Sequence, residues 1–160
     1  TDTSTYLPND NDLLLGFQHS KLTNLQTRGI LYLIEAGMRP ERSSTVLLGF
    51  NNYSLEHLMP KNWSRSWAAC ASPEAAKQRD SLLLTLGNLA IIPQSLNASI
   101  RDEDWRTKKV GKGPKKPGLA LCAVGLYTIN NVLQCEVWNE EEINKRALWL
   151  FDQAKQLWQV

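Results

Sequence analysis

The segment YSLEHLMPKNW, residues 53–63, decides how the middle of the chain folds. Apolar and polar residues alternate from Tyr53 to His57, which is the period of a half-buried β-strand. Pro60 follows shortly afterwards, and proline does not continue a strand inside a sheet. We therefore predict a short strand whose end carries two adjacent polar residues, Glu56 and His57.

The stretch LGNLAIIP, residues 86–93, supplies a partner for this strand. Residues 88–92 are mostly apolar and are entered through Gly87, which predicts a second strand that Pro93 ends. The polar stretch 95–105 then predicts a helix. The order along the chain is therefore strand, strand, helix.

Helical patterns lie on both sides of this strand pair. Before it, apolar residues recur at helical spacing over residues 22–34, after an irregular lead-in over residues 1–12. After it, residues 119–133 predict a core helix, and residues 143–158 predict a final helix whose first turn is capped by Asn139. We predict a single α+β domain spanning the whole chain, with a short antiparallel strand pair flanked by helices at both ends.

The composition is that of an ordinary soluble domain. Of 160 residues, 42% are hydrophobic and 21% are charged, the net charge is +2, and no apolar run is long enough to span a bilayer. Three cysteines are widely spaced and form no zinc pattern, so we expect reduced thiols in a cytoplasm. Because the chain begins with Thr1, we expect it to be a C-terminal fragment of a longer protein.

The predicted arrangement brings an acid, a histidine and two asparagines, Asn88 and Asn97, towards one place. A divalent cation such as magnesium prefers oxygen ligands, which Glu56 and the amide of Asn97 offer. A neutral His57 imidazole near its natural pKa can deprotonate a water at pH 7. Adjacent strand residues face opposite sides, so Glu56 and His57 share a site only if the strand ends or bends there. The set suits a metal-dependent phosphodiesterase.

YSLEHLMP, LGNLAII and LNASI, with a following tryptophan and two lysines, resemble the C-terminal nuclease domain of GmrSD-type modification-dependent restriction proteins. That domain belongs to the His-Me finger, or HNH, superfamily. The resemblance covers most of the chain and continues through the final helix at Trp138, Ile143, Arg146, Leu150, Ala154 and Trp158. It implies a ββα-metal core.

The resemblance also implies roles for individual residues. His57 is expected to be the general base, Glu56 and Asn97 the ligands of one Mg²⁺ or Mn²⁺ ion, and Asn88 the brace of the catalytic loop. Two departures from the family pattern stand out: Asp102 replaces a common asparagine, and an alanine follows LGNL. Asp102 adds an acid near the expected metal.

Basic residues near this site are predicted to contact DNA phosphates through charge alone. Residues 108–118 hold three glycines and two prolines, which predicts a loop. A merely solvated loop is the alternative, and an i, i+4 ion pair with Glu142 is the alternative for the arginine. The predicted phosphate contacts are Lys108, Lys109, Lys112, Lys115, Lys116 and Arg146.

The sequence therefore predicts a divalent-metal-dependent DNA endonuclease domain. The resemblance further implies a role in bacterial phage defence, in the cytoplasm and away from membranes, with a ParB-like nucleotide-hydrolysing domain in the same chain or in a partner. Two alternatives stay open. One is a non-catalytic nucleic-acid or protein-interaction module that retains the motif as structure, and the other is an RNase toxin that uses the same chemistry.

Overall fold

The computed structural model describes residues 7–41, 45–123 and 125–158, without the side chains of residues 97–99 and 122. Helices surround a pair of strands. The helices are α1 (Asp10–His19), α2 (Asn24–Met38), α3 (Pro73–Leu82), α4 (Gln94–Ile100), α5 (Trp105–Val110), α6 (Leu119–Cys122), α7 (Tyr127–Gln134) and α8 (Glu140–Leu157). The strands are β1 (Tyr53–His57) and β2 (Leu89–Pro93), and a 3-10 turn at Leu86–Asn88 leads into β2.

The two strands form an antiparallel sheet, as predicted. Tyr53 pairs with Pro93 at one end and His57 pairs with Leu89 at the other. An isolated two-stranded sheet is only marginally stable in water. Here α2 and α4 pack against both strands, and β2 is buried over its first four residues. The fold is therefore α+β, and the helices supply the packing that the sheet needs.

Helix α8 forms the largest packing surface beside the sheet. Asn139 caps it by accepting a hydrogen bond from the Glu142 amide at 3.0 Å. Its buried face recurs at helical spacing and packs against α1, α2 and the 3-10 turn. This confirms the predicted final helix. Among the described residues, no helix combines the length and apolarity required to cross a bilayer.

Four stretches differ from their predictions. Helix α1 begins at Asp10, inside the predicted lead-in, because Asn9 and Asp12 form a reciprocal capping box. Residues 1–6 lie outside the described part of the chain. The single helix predicted over residues 95–105 is interrupted, since α4 ends at Ile100 and α5 starts anew at an Asp104 cap.

The other two differences concern the predicted loop 108–118 and the predicted helix 119–133. The predicted loop 108–118 begins with the end of α5, which stops where Gly111 adopts a positive φ of 86°. The predicted helix 119–133 is divided into α6 and α7. The buried Glu35 carboxylate, from α2, accepts hydrogen bonds from the Tyr127 and Thr128 amides at 3.0 and 2.8 Å and so fixes the start of α7.

Candidate active site

An open cleft lies at the end of β1, beside the connection between α4 and α5. Its volume is about 310 Å³. Because β1 ends at His57, the adjacent Glu56 and His57 both reach this cleft. The lining residues are Leu55, Glu56, His57, Pro60, Lys61, Asn62, Arg101 and Asp102.

The His57 imidazole is half-buried, and its Nε2 atom is buried without a hydrogen-bond partner among the described residues. Burial, together with the charges of Lys61 and Lys108, lowers the pKa of His57 to about 4, whereas Asp102 opposes the shift. The pKa thus lies below the natural value expected from the sequence. The ring is therefore neutral at pH 7. A neutral imidazole has one nitrogen lone pair that can accept a proton.

Glu56 is buried and forms an ion pair with Lys108 of α5. Lys108 is fully buried, and its Nζ also donates to the backbone oxygen of His57 at 2.6 Å. Burial raises the pKa of the Glu56 carboxyl, and the charge and hydrogen bond of Lys108 oppose that shift. Lys108 thus contradicts its prediction as a DNA contact, because its ammonium lies in the interior.

Asn88 holds the segment that follows His57. Its Oδ1 accepts from the Met59 amide at 2.8 Å and its Nδ2 donates to the Met59 oxygen at 2.8 Å. The same side chain donates to the Leu83 oxygen at 3.0 Å and accepts from Trp138 Nε1 at 3.1 Å. Its backbone oxygen accepts from the Leu58 amide at 2.9 Å. A buried amide with this many partners has one fixed orientation.

Arg146 is also in the interior, which contradicts both predictions made for it. Its side chain neither faces solvent nor pairs with Glu142, which pairs with Lys145 instead. Arg146 lies three residues after the buried Ile143 and four before the buried Leu150, so its place on the inner face was readable from the helical period. The guanidinium donates to the backbone oxygens of Leu86, Gly87, Leu89 and Thr128 at 3.0, 2.9, 2.8 and 3.3 Å.

The other predicted cations lie nearer the surface. Lys109 Nζ donates to the Cys135 oxygen at 3.0 Å, and Lys112 pairs with Glu103 at 2.6 Å. Lys115 and Lys116 are exposed. Their contact with DNA stays a prediction.

Two cleft cations were missed by the sequence reasoning. Lys61 and Arg101 are both exposed and both line the cleft beside His57. Lys61 directly follows Pro60, and Arg101 directly precedes Asp102, so position next to the recognised motif residues was the available signal.

The cleft offers oxygen ligands for a hydrated divalent cation. Magnesium is commonly held by one or two carboxylates and keeps several waters. Glu56 and Asp102 line the same cleft, so two carboxylates fit a hydrated ion of this kind. Asn97 belongs to α4, but its side chain lies outside the described residues. No group of three acidic, histidine or cysteine side chains forms a metal cluster among the described residues.

The comparison with known families agrees with the motif. The chain matches the family of GmrSD restriction endonucleases, C-terminal domain, over residues 7–153. No curated protein matches the chain.

Proposed function

Because the chain belongs to the family of GmrSD restriction endonuclease C-terminal domains, we propose that it is a nuclease domain that hydrolyses DNA phosphodiester bonds in the cleft at the end of β1. The observation that carries the proposal is His57. His57 lines an open polar cleft with a neutral imidazole whose buried Nε2 has no hydrogen-bond partner among the described residues, which suits a general base. In this role His57 takes the proton of the water that attacks phosphorus.

Phosphate binding is assigned to the cations that face the cleft. Lys61 and Arg101 are exposed and line the cleft that holds His57, so a phosphate that approaches the histidine meets two positive charges. Lys108 and Arg146 are excluded from this task by their burial. Lys109, Lys112, Lys115 and Lys116 are left as more distant contacts with the DNA backbone.

The metal part of the proposal concerns one Mg²⁺ or Mn²⁺ ion. Glu56 and Asn97 are proposed to hold it, with Asp102 as a further acid on the same cleft. When bound, such an ion stabilises negative charge on the scissile phosphate and its leaving oxygen. The chain's own contribution is to aim the Glu56 carboxylate at the cleft and to keep His57 neutral.

A cleavage assay with paired histidine variants tests the proposal, since the chain has only two histidines. Supercoiled plasmid is incubated with wild type, His57→Ala and His19→Ala, with magnesium or with EDTA. We expect His57→Ala to lose about 10²–10⁴-fold in rate, the usual contribution of a general base. His19 is exposed at the end of α1, so His19→Ala is expected to cleave like the wild type.

The same assay separates the alternatives. Binding of DNA without magnesium-dependent cleavage indicates the non-catalytic module. Cleavage of an RNA transcript but not of plasmid indicates an RNase. Undiminished plasmid cleavage by folded His57→Ala removes the histidine from the mechanism.

The biological setting is part of the proposal. We assign the domain to restriction of phage DNA in the bacterial cytoplasm, in association with a ParB-like nucleotide-hydrolysing domain in the same chain or in a partner. Plaque counts on cells that carry the full-length protein, with and without His57→Ala, test this role. Equal plaque numbers for both strains over a panel of phages would contradict it.

A further inference from the structure

Lys108 is among the largest fully buried side chains in the described part of the protein. Lysine is almost never fully buried unless its charge is paired. Helix α5 carries the residue inward: Asp104 caps the helix by accepting from the Thr107 amide at 3.0 Å, and Gly111 ends it. Lys108 follows the capped turn, and its side chain lies fully inside the protein.

The ammonium of Lys108 joins two consecutive residues of β1. Nζ donates to the Glu56 carboxylate and to the backbone oxygen of His57. These are the last two residues of the strand, and β2 pairs with them from the other side through the backbone. The end of β1 is thus held on one side by the sheet and on the other by Lys108.

The contacts of Lys108 explain how two adjacent residues of a strand can line the same cleft. In a regular strand, adjacent side chains point to opposite faces. Glu56 and His57 nevertheless line one cleft, so the strand end must be held in a defined conformation. A single cation that binds the Glu56 side chain and the His57 carbonyl fixes both at once.

We propose that Lys108 is a positioning residue of the active site, which orients the Glu56 carboxylate and the His57 backbone so that both face the cleft. The proposal rests on the proposed nuclease function for its consequence in catalysis, but its geometric content holds for the free protein. It also replaces the expectation that this lysine binds DNA.

Proton NMR of the two histidines tests the geometry without any activity. His19→Gln assigns the imidazole signals of the wild type. At one fixed pH, Lys108→Met is expected to displace the His57 signals and leave those of His19 in place. Lys109→Met is the matched control on the same helix, and its His57 signals are expected to coincide with those of the wild type.

Loss of one partner from a buried ion pair is strongly destabilising, so Lys108→Met is expected to lower Tm by about 6–20 °C. Glu56→Gln combined with Lys108→Met removes both charges and is expected to recover much of that loss. The double variant still lacks the contact with the His57 oxygen, so its His57 signals are also expected to be displaced. Unmoved His57 signals in a folded variant would overturn the proposal.

DNA binding across a salt series provides the second test. A positioning residue leaves affinity and its salt dependence unchanged, whereas a phosphate contact contributes about 0.9 to the slope of log affinity against log salt. Lys108→Met is expected to keep the wild-type slope and to lower kcat about 10–100-fold, as for residues that orient active-site groups. Lys115→Met, at an exposed lysine, is the comparison for a lost phosphate contact.

A reduced slope with unchanged kcat for Lys108→Met would restore the DNA contact and overturn the positioning role. If the wild type cleaves no nucleic acid, the proposed function fails, and the histidine spectra still decide whether Lys108 orients the end of β1.

Discussion

Replacing Arg146 by methionine is expected to loosen the turn that carries Asn88. Methionine keeps much of the side-chain volume but donates no hydrogen bond. In the native protein the guanidinium donates to three oxygens of the turn and of β2 at 2.8–3.0 Å, and to a fourth oxygen in α7 at 3.3 Å. All of these acceptors lie in the buried interior around Arg146.

The magnitude follows from the three short contacts. A buried polar group that loses its partner costs about 1–3 kcal/mol, so the lowest figure for three carbonyls already gives about 3 kcal/mol. Removal of the buried charge also removes part of its desolvation cost, so the expected loss of unfolding free energy stays at about 3 kcal/mol. For a chain of this size, about 3 kcal/mol corresponds to a fall in Tm of about 6–12 °C.

Chemical denaturation of Arg146→Met and Lys145→Met provides the measurement. Lys145 is the neighbouring residue on α8, has a side chain that is 59% exposed, and pairs with Glu141 and Glu142 at the surface. Surface pairs of this kind contribute about 0–1 kcal/mol, so the control is expected to unfold close to the wild type. Equal stability of the two variants would refute the bracing role of the guanidinium. A reduced salt slope for DNA binding by Arg146→Met would then favour the phosphate contact that its burial argues against.

Two further predictions concern the same region. A Cβ atom at Gly87 would lie 2.2 Å from the backbone oxygen of Ile143 in α8. Gly87→Ala is therefore expected to be strongly destabilised in thermal unfolding. Gly29 has open space around it, so the control Gly29→Ala is expected to be tolerated. The pKa of His57 is about 4 in the folded protein against 6.5 for the free side chain, so the folded state binds fewer protons between these values. Stability is therefore fully present above pH 6.5 and falls by about 3 kcal/mol as the pH drops from 6.5 to 4. Urea unfolding of His57→Gln is expected to lack this loss, and an unchanged pH profile would contradict the assignment.

The sequence was sufficient to predict the elements that depend on neighbouring residues. The strand β1, the proline that ends β2 and the apolar face of α8 depend on neighbours along the chain, and all three appear in the structure. The motif also indicated which residues meet at the end of β1. Glu56 and His57 line one cleft with Asp102, which the family resemblance had marked as an extra acid. The order strand, strand, helix predicted Asn97 at this place, and its side chain lies outside the described residues.

The sequence did not predict the features that depend on residues far away along the chain. Lys108 was predicted to contact DNA because its basic stretch lies close in sequence to the motif, and Arg146 was predicted to reach a phosphate or to pair with Glu142. The helical period places Arg146 on the inner face of α8 but does not identify its acceptors. The acceptors of Lys108 lie 51 and 52 residues away, and those of Arg146 lie between 18 and 60 residues away. The break between α6 and α7 likewise depends on Glu35, 92 residues before Tyr127. No local window contains these contacts.

The two sides of the cleft are held by hydrogen bonds that differ in burial. The histidine side of the cleft is joined to α8 through buried contacts, from Arg146 to the turn and from Asn88 to Met59. The opposite side, segment 101–104, is attached by the exposed Asn62–Asp102 and Ser66–Asp102 hydrogen bonds at 3.1 and 2.7 Å and by a part-buried bond, from Trp67 Nε1 to the Glu103 oxygen at 3.1 Å.

The two sides of the cleft are therefore expected to differ in local stability. Buried, fully bonded backbone exchanges its amide protons only when a large cooperative unit unfolds, whereas segments held by exposed bonds open at low free-energy cost. The amides of Leu58 and Met59 should therefore exchange together with those of α8, and segment 101–104 should exchange sooner. The cleft would then open by the movement of segment 101–104, while the side that carries His57 stays within the most stable cooperative unit of the domain.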